Sequence, residues 1–379
     1  MKKLLAIVIS MAMIVAMMPV GVFAGETIIK ISSAEELAKI GTDAEYPLDG
    51  NYELTQNISL EENWTPIGTE GMPFTGTING KGNTITNLNI NKDSGAYAGL
   101  VALLGGGSVD NIKFANVSIT GTATDVGTAV GRIINGASVS NIEVISGSIA
   151  GSKRVGGVVG SIKASGNINN CSNKATVNAS VYNVGGIVGA AYYTEADKKM
   201  TISGCKNSGN ISSLTGVGGI VGLSAAEISS CNNIGTITGN GTSTGGIVGE
   251  QKSFGSVTGN TNTGTIKNND KSGYGTGGVI GWLRYHGSDE ASSYARSEII
   301  SVADNNNSGT VEGGNDAGGI VGTVYNSAVI TDNTNTAAAL SCTTFAAGIA
   351  GNYQTTETPA AAKPAENILI LMEIRVKQL

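Results

Sequence analysis

Gly185-Gly186-Ile187-Val188-Gly189 is the clearest of nine copies of a short apolar block that glycines frame along this chain. Successive copies begin 27 to 41 residues apart, and four of the eight intervals are 29 residues. A repeat of this length is typical of a solenoid, in which each unit buries its apolar face only against its neighbours. The copies begin at Ala98, Gly127, Gly156, Gly185, Gly218, Gly245, Gly277, Gly318 and Ala347.

Two further short apolar runs precede each block. In one repeat they are Ile202–Cys205 and Gly209–Ser212, and the block strand Gly219–Val221 follows. Gly, Asn and Ser at the joins are residues that accept tight corners. Three short strands per turn predict an all-β fold, a parallel β-helix of about ten coils and on the order of 50 Å in length at about 4.8 Å per coil. The 3.6-residue periodicity of a helical solenoid is too weak here.

Aligning the repeats stacks six asparagines in one column, each two residues after a column of cysteine or asparagine. Stacked amides can hydrogen bond from coil to coil, so we expect an inward structural ladder and not a binding site. Earlier coils carry apolar pairs at these positions, for example Ile112 and Phe114. The first column is Asn173, Asn207, Asn233, Asn262, Asn307 and Asn335, and the second is Cys171, Cys205, Cys231, Asn260, Asn305 and Asn333.

The segments outside the repeats have their own signatures. Residues 1–24 have the basic start, apolar run and small-residue end of a secretory signal peptide. Residues 25–63 form a predicted N-terminal cap, in which Ser33–Ile40 reads as a short amphipathic helix with a capping box from Ser33 to Glu36. The β-helix is expected over 64–354. Residues 355–379 read as a Pro/Ala linker and a short strand or tail, with Ile368–Val376 apolar enough for a last strand.

Charge and cysteine content exclude several function classes. The 379 residues include 23 basic and 29 acidic side chains, and without Lys2 and Lys3 the balance is 21 against 29, a net charge of −8. This balance argues against nucleic acid as a partner. No second apolar run is long enough to span a membrane after signal cleavage. Parallel side chains disfavour disulfides in the cysteine column, so we expect free, buried thiols, and no cofactor.

The lead-in to the repeats resembles bacterial surface proteins that carry the GLUG motif. Trp64–Gly68 reads WTPIG, Phe74–Ile85 reads FTGTINGKGNTI, and Gly186–Gly189 is similar to the motif itself. The resemblance covers about Ile28 to Gly351 and implies a secreted or wall-associated β-helix of adhesin type, sometimes beside a protease domain. It brings no shared catalytic residues. With His286 as the one histidine, a His-Glu-x-x-His zinc site is excluded.

An enzymatic function and an ice-binding function are the alternatives to a scaffold role. Polysaccharide lyases and hydrolases on β-helices need clustered carboxylates, and the acidic residues here are scattered. Asp304 and Asp332 stack in consecutive coils, where a shared calcium competes with the simpler reading of solvated carboxylates. A flat Thr array could order water, but Lys267 and Glu312 interrupt the outward columns of the middle strand. Those columns are Thr176, Asn210, Thr236, Thr265 and Thr310, and Asn178, Ser212, Thr238, Lys267 and Glu312.

Insertions that lengthen single coils fall mainly after the glycine-framed block, at 190–199, 250–254 and 282–298. Segments leaving one corner of a solenoid project from one side, where repeat proteins usually bind. These insertions carry a large share of the few aromatic residues, which either stack on a ligand or pack over the coils as anchors. The candidate binding residues are Tyr192, Tyr193, Phe254, Trp282, Arg284, Tyr285 and His286.

The sequence therefore predicts a secreted or cell-surface, adhesin-like binding and scaffold protein without enzymatic activity. Its expected partner is a cell-surface or host glycan, or a surface protein, contacted through the aromatic insertions on one edge. The alternative is a polysaccharide-active β-helix enzyme, either a lyase or a hydrolase. A purely structural surface-layer component ranks third. The residue pattern predicts no metal site, and it leaves the ligand, the mode of attachment and the oligomeric state open.

Overall fold

The computed structural model describes residues 27–61, 63–93, 95–192, 199–252, 255–284, 300–325 and 328–354. Within these ranges the chain winds as a parallel β-helix whose strands stack into four sheets, which we name A to D in the order a coil visits them. The predicted fold class is confirmed. Sheet B alone contains ten described strands, which corresponds to about ten coils.

Sheet B follows sheet A in each coil, and its later strands end on the asparagine column. The strands of sheet A are Ile28–Ile31, Asn51–Leu54, Thr77–Asn79, Ser108–Asp110, Ser138–Ser140, Gly166–Asn169, Met200–Ser203, Glu227–Ser229, Val257–Thr258, Ile300–Ala303 and Ala328–Thr331. Those of sheet B are Ile58–Ser59, Thr84–Thr86, Lys113–Ala115, Glu143–Val144, Ser172–Asn173, Lys206–Asn207, Asn232–Asn233, Thr261–Asn262, Asn306–Asn307 and Thr334–Asn335.

Sheet C continues into sheet D through the glycine-framed block. The strands of sheet C are Asn89–Lys92, Tyr97–Ala98, Val117–Gly121, Asp125–Val126, Gly147–Gly156, Thr176–Gly185, Ile211–Ser213, Thr215–Gly218, Ile237–Gly239, Thr244–Gly245, Ile266–Asn268, Thr276–Gly277, Val311–Glu312, Asp316–Gly318, Leu340–Ser341 and Phe345–Ala347. Those of sheet D are Val101–Leu104, Val130–Ile133, Val159–Lys163, Val188–Tyr192, Val221–Ser224, Val248–Lys252, Ile280–Arg284, Val321–Tyr325 and Ala350–Gln354.

The structure refines the predicted three strands per coil. Two-residue pairings at the asparagine corner form sheet B, and in most described coils sheet C is split into two short strands. Both features were missed because a two-residue strand carries no alternation of apolar and polar residues for a pattern to register. The register within each sheet follows the sequence alignment; for example, Asn178, Ser212 and Thr238 are paired in one column.

The asparagine column is an inward ladder, as predicted. The Nδ2 of Asn207 donates to Oδ1 of Asn233 at 2.9 Å, and Nδ2 of Asn233 donates to Oδ1 of Asn262 at 2.8 Å. Each amide also bonds the backbone two residues on; Gly235 N, for example, donates to Asn233 Oδ1 at 3.2 Å. Five of these side chains are buried, namely Asn173, Asn207, Asn233, Asn262 and Asn307, and Asn335 in the last described coil is half-buried. Because the five buried amides have hydrogen-bond partners, their burial leaves no unsatisfied polar group.

The second glycine of the block makes room for this ladder. A Cβ added to Gly186 would lie 2.4 Å from Cγ of Asn207, and one added to Gly219 would lie 2.6 Å from Cγ of Asn233. An earlier block has Thr128 in place of the second glycine. The next coil then has Val144 at the position where later coils have asparagine. The double glycine and the asparagine therefore belong to one packing unit, although the sequence shows them as separate signals.

The N-terminal cap contains the predicted short helix, which spans Ala34–Ala38 with Ser33 as its N-cap. Ser33 Oγ accepts a hydrogen bond from Glu36 N at 3.2 Å, while the Glu36 carboxylate accepts from Ser32 N at 2.6 Å. The hydrogen bonds from Ser32 lower the pKa of Glu36. Leu37 is fully buried, so the helix covers the first coil and keeps its apolar end from water.

The three cysteines of the second column are buried and unpaired. The cysteine column passes into asparagine where Cys231 N donates to Asn260 Oδ1 at 2.9 Å. Among the described residues, no helix has the length and apolarity needed to cross a membrane. Residues 1–24 and 355–379 lie outside the described ranges, so the leader and the C-terminal strand remain predictions.

Candidate contact surface on sheet D

The predicted binding residues fall into two groups. Tyr192, Trp282 and Arg284 lie on described strands of sheet D. The other four candidates lie outside the described residues; they are Tyr193, Phe254, Tyr285 and His286.

Strand Ile280–Arg284 places Trp282 and Arg284 on the outer face of the rod. Ile280 and Leu283 are buried in the core, and Trp282 and Arg284 are half-buried between them and solvent. Their partners across the sheet are Glu250 and Thr323 for Trp282, and Lys252 and Tyr325 for Arg284. Parallel in-register pairing brings these side chains into two adjacent outward columns.

Arg284 lies at the centre of this group. Its guanidinium carbon is 4.4 Å from the centroid of the Trp282 ring and 6.0 Å from that of the Tyr325 ring. Its Nη1 is 3.3 Å from Glu250 Oε1, and Lys252 Nζ is 3.9 Å from the same oxygen. The Arg284 side chain is 29% exposed. We call these five residues, Glu250, Lys252, Trp282, Arg284 and Tyr325, the Arg284 patch. A cation stacked on aromatic faces is held in one orientation while its outer edge remains free to donate.

Trp282 also has an anchoring role. A Cβ on Gly275, whose φ is +72°, would lie 3.1 Å from Cβ of Trp282. The Trp282 side chain therefore starts directly beside a residue that has no side chain. The indole Nε1 and the Nε of Arg284 are buried without a hydrogen-bond partner in the described ranges. Trp282 therefore combines the two predicted roles of the aromatic residues. It packs against the coil as an anchor, and it supports Arg284 at the candidate binding surface.

Tyr192 does not join the Arg284 patch. It lies in the same outward column as Arg284 but three coils earlier, which is about 14 Å along the rod. Its partner across the sheet is Lys163, and it also lies near a different cluster. A hydrogen bond to Asp125 raises the pKa of Arg154, and the charges of Asp125, Tyr192 and Tyr182 add to that effect. Among the three described candidates, Trp282 and Arg284 therefore lie together and Tyr192 lies apart from them.

The second cluster is centred on a buried carboxylate that sequence reasoning missed. Asp125 is fully buried and pairs with Arg132 at 2.7 Å and with Arg154 at 2.5 Å. Arg132 also donates to Tyr97 Oη at 3.1 Å and lies 4.8 Å from that ring's centroid. Burial is the main cause that raises the pKa of Tyr97. We call Tyr97, Asp125, Arg132 and Arg154 the Asp125 cluster.

Both clusters lie at the same place in the coil, the wedge between sheets C and D at the glycine-framed block. There the residue two positions before the block packs against the residue seven positions later, just after the block. Asp125 meets Arg132 in this way, Gly275 meets Trp282, and Asp316 accepts a 2.5 Å hydrogen bond from Thr323 Oγ1. This spacing of seven residues is a signal in the sequence that could have identified both clusters. The residue before the block and the residue seven positions later complement each other, in charge, in hydrogen bonding or in size.

Asp304 and Asp332 have a backbone role. Their φ values are +56° and +54°, the left-handed region that Asn and Asp tolerate better than most residues. Asn111, Asn141 and Asn170 have the same conformation at the same corner of earlier coils, directly after the sheet A strand. In the part of the chain that the structure describes, no group of three or more His, Cys, Asp or Glu side chains is placed to hold a metal ion.

A groove of about 810 Å³ lies at the N-terminal end of the rod. It runs between the cap helix and residues 56–72, and Trp64 and Met72 contribute to its wall. Trp64 is almost fully buried and donates its indole N–H to Leu100 O at 3.0 Å. No candidate binding residue from the sequence lines this groove.

Comparison with known proteins gives limited similarity. No family model matches this chain. A stretch of 94 residues, 24% of the chain, is 46% identical to part of halomucin from Haloquadratum walsbyi, and this match spans only 1% of halomucin. The crystal structure of a "putative immunoglobulin A1 protease" from Bacteroides ovatus is similar over 87% of this chain and 85% of that one, at 15% identity and a TM-score of 0.40. About a quarter of the chain is thus similar to a small part of halomucin, and a TM-score of this size carries no argument about activity.

Proposed function

We propose that this chain is an extracellular, adhesin-like surface protein that binds a glycan or a surface protein without chemical turnover. In this account the β-helix is the scaffold and the Arg284 patch is the contact surface. The observation that carries the proposal is the stacking of Arg284 on Trp282, with the Tyr325 ring centroid 6.0 Å from the guanidinium carbon and Glu250 bonded to the guanidinium.

The chemistry of the patch suits recognition. Arginine and aromatic residues dominate the energetics of binding surfaces, because they offer large contact area and directed hydrogen bonds at low entropic cost. Sugar hydroxyl groups can accept from the free edge of Arg284, and a sugar or apolar face can stack on Tyr325. Lys252 adds a second donor beside Glu250. The proposal leaves roles for Tyr193, Phe254, Tyr285 and His286 as flanking contacts.

The extracellular location rests on three supports. Residues 1–24 read as a signal peptide, the lead-in and blocks resemble GLUG-motif surface proteins, and part of the chain is similar to halomucin. We propose secretion or association with the cell wall on these grounds.

The test is a binding screen with the full chain. A glycan array and a panel of immobilised mucin, fibronectin and collagen serve as probes. We expect a reproducible signal on at least one probe, and we expect Arg284→Ala to weaken it about tenfold, as for a surface hot spot. Lys267→Ala is the matched control, since it removes one exposed cation from sheet C and should leave binding unchanged.

Two outcomes would contradict the proposal. One is the absence of binding on both panels by folded protein. The other is the appearance of shortened or unsaturated products when the protein is incubated with pectin, alginate or glycosaminoglycans, because turnover would favour the polysaccharide-active alternative.

Tryptophan emission adds a local readout of binding at Trp282. The chain has two tryptophans, and the other one, Trp64, is buried at the opposite end of the described rod.

A further inference from the structure

The last described coil leaves the core of the β-helix open. Ile330, Leu340 and Ile349 occupy core columns but are only half-buried, whereas Val302, Val311 and Ile320 in the preceding coil are fully buried. Tyr353 makes the same point more strongly. It is 41% exposed, while its partner in the core column, Val324, is 5% exposed.

The strand edges at this end are also unpaired among the residues that the structure describes. Each sheet ends in a strand of the last coil; the final strands are Ala328–Thr331, Thr334–Asn335, Leu340–Ser341, Phe345–Ala347 and Ala350–Gln354. Free backbone N–H and C=O groups beside exposed apolar side chains form a template for a further strand. At the opposite end the cap helix covers the core with Leu37 and Ile40.

We infer that residues 368–376 of this same chain cover the open end, pairing in parallel with Ala328–Thr331 as the next strand of sheet A. The first four residues of this segment, 368–371, are all apolar, and its second half alternates in the required way. Met372, Ile374 and Val376 would face the core, and Glu373 and Arg375 would face solvent. Strand Ala328–Thr331 has the same alternation, since Ala328 and Ile330 pack against the core.

Chain length permits this placement. Thirteen residues separate Gln354 from Ile368, which is enough to span about 40 Å when extended. The chain already makes such a connection, since 15 residues separate the end of strand Ile280–Arg284 from the sheet A strand Ile300–Ala303. A segment of the same chain also has a high effective concentration at this end, which favours it over a second copy.

Cys342 offers an internal probe of the open end. It follows strand Leu340–Ser341 in an inward column with Ser213 and Asn268, both of which are buried, while Cys342 itself is half-buried. The other three cysteines lie deep in the core. In the native full chain, iodoacetamide should therefore react with Cys342 alone. The rate of that reaction reports whether this end of the β-helix is covered.

The experiment compares the full chain with Ile374→Asp and with Arg375→Asp. Both variants add a carboxylate to the same short segment, but only the first places it against the core. We expect Cys342 to react about tenfold faster in Ile374→Asp, because local opening no longer has to precede reaction. Arg375→Asp should react as the full chain does. Hydrogen exchange should show protection of residues 368–376 in the full chain and loss of that protection in Ile374→Asp.

Three results would overturn the inference. Equal Cys342 reactivity in all three proteins would mean that the segment does not cover the end. Unprotected amides over 368–376 in the full chain would mean the same. Cys342 reactivity that rises on dilution, together with a dimer by light scattering, would identify a second copy as the cover. None of these readouts depends on ligand binding, so the inference and the proposed function fail independently.

Discussion

Two arginine clusters lie in the same wedge between sheets C and D, and they differ in what surrounds the cation. In the Asp125 cluster, a fully buried carboxylate pairs with two arginines whose side chains are 15% and 21% exposed. In the Arg284 patch, the guanidinium stacks on Trp282 and contacts Glu250, and it is 29% exposed. The first cluster uses its donors internally, while the second keeps part of its donor edge at the surface.

The difference shows that the same place in the repeat, between sheets C and D, can serve stability in one coil and binding in another. A buried carboxylate needs compensating charge, so Arg132 and Arg154 are committed to Asp125. Arg284 needs no such commitment, because Glu250 reaches solvent and the cation is supported by ring faces. We therefore expect substitutions in the first cluster to change stability and substitutions in the second to change binding.

The largest expected effect is on Asp125. Asp125→Ala leaves two partly buried arginines without their carboxylate, and it should lower the free energy of unfolding by about 3 kcal/mol. Urea denaturation measures this change. The control is Glu143→Ala, which breaks a surface pair with Lys174 at 2.8 Å and should cost less than about 1 kcal/mol. Equal losses for the two variants would remove the distinction between buried and surface pairs.

A change in the core between the clusters should have the next largest effect. Asn233→Ala removes one step of the ladder and leaves Asn207 Nδ2 and Gly235 N without their acceptor. The free energy of unfolding should fall by about 2 kcal/mol, and binding at the Arg284 patch should persist in the folded fraction. Asn232→Ala, at the neighbouring outward position, should be close to neutral. A neutral Asn233→Ala would show that the ladder contributes no stability.

Alkaline pH should act on the same stretch of core. Hydrogen bonds to the neighbouring thiol and then burial raise the pKa of both Cys205 and Cys231. The folded state therefore keeps protons that the unfolded state loses above about pH 8.5, so stability is present below that pH and falls as pH rises, by up to about 1.4 kcal/mol per pH unit for each thiol. Denaturation at pH 7.5 and 9.5 measures the slope. The double variant Cys205→Ala, Cys231→Ala should have a smaller slope.

The sequence predicted the core of this molecule better than its surface. The block repeat and the asparagine column identified the β-helix, because inward positions must repeat in every coil. Trp282 and Arg284 were predicted as binding residues from a supposed insertion at 282–298, although the structure places both on a regular strand of sheet D. Glu250 and Tyr325 were not predicted, since they meet Trp282 and Arg284 only through pairing of strands 32 and 41 residues apart. Asp125 was missed for a different reason. Its pairing with Arg132, seven residues later, has a local spacing that was not used, whereas its pairing with Arg154 joins two coils that no local pattern links.

The smallest expected effect on stability belongs to Arg284, and it gives the most direct test of the account. Arg284→Ala should be measured beside Lys267→Ala for both urea unfolding and binding to the responding probe of the glycan and protein panels. The account predicts a loss of unfolding free energy below about 1 kcal/mol together with binding about tenfold weaker, while Lys267→Ala changes neither. Unchanged binding by Arg284→Ala, or destabilisation as large as that of Asp125→Ala, would contradict the claim that this patch is a contact surface carried by the β-helix.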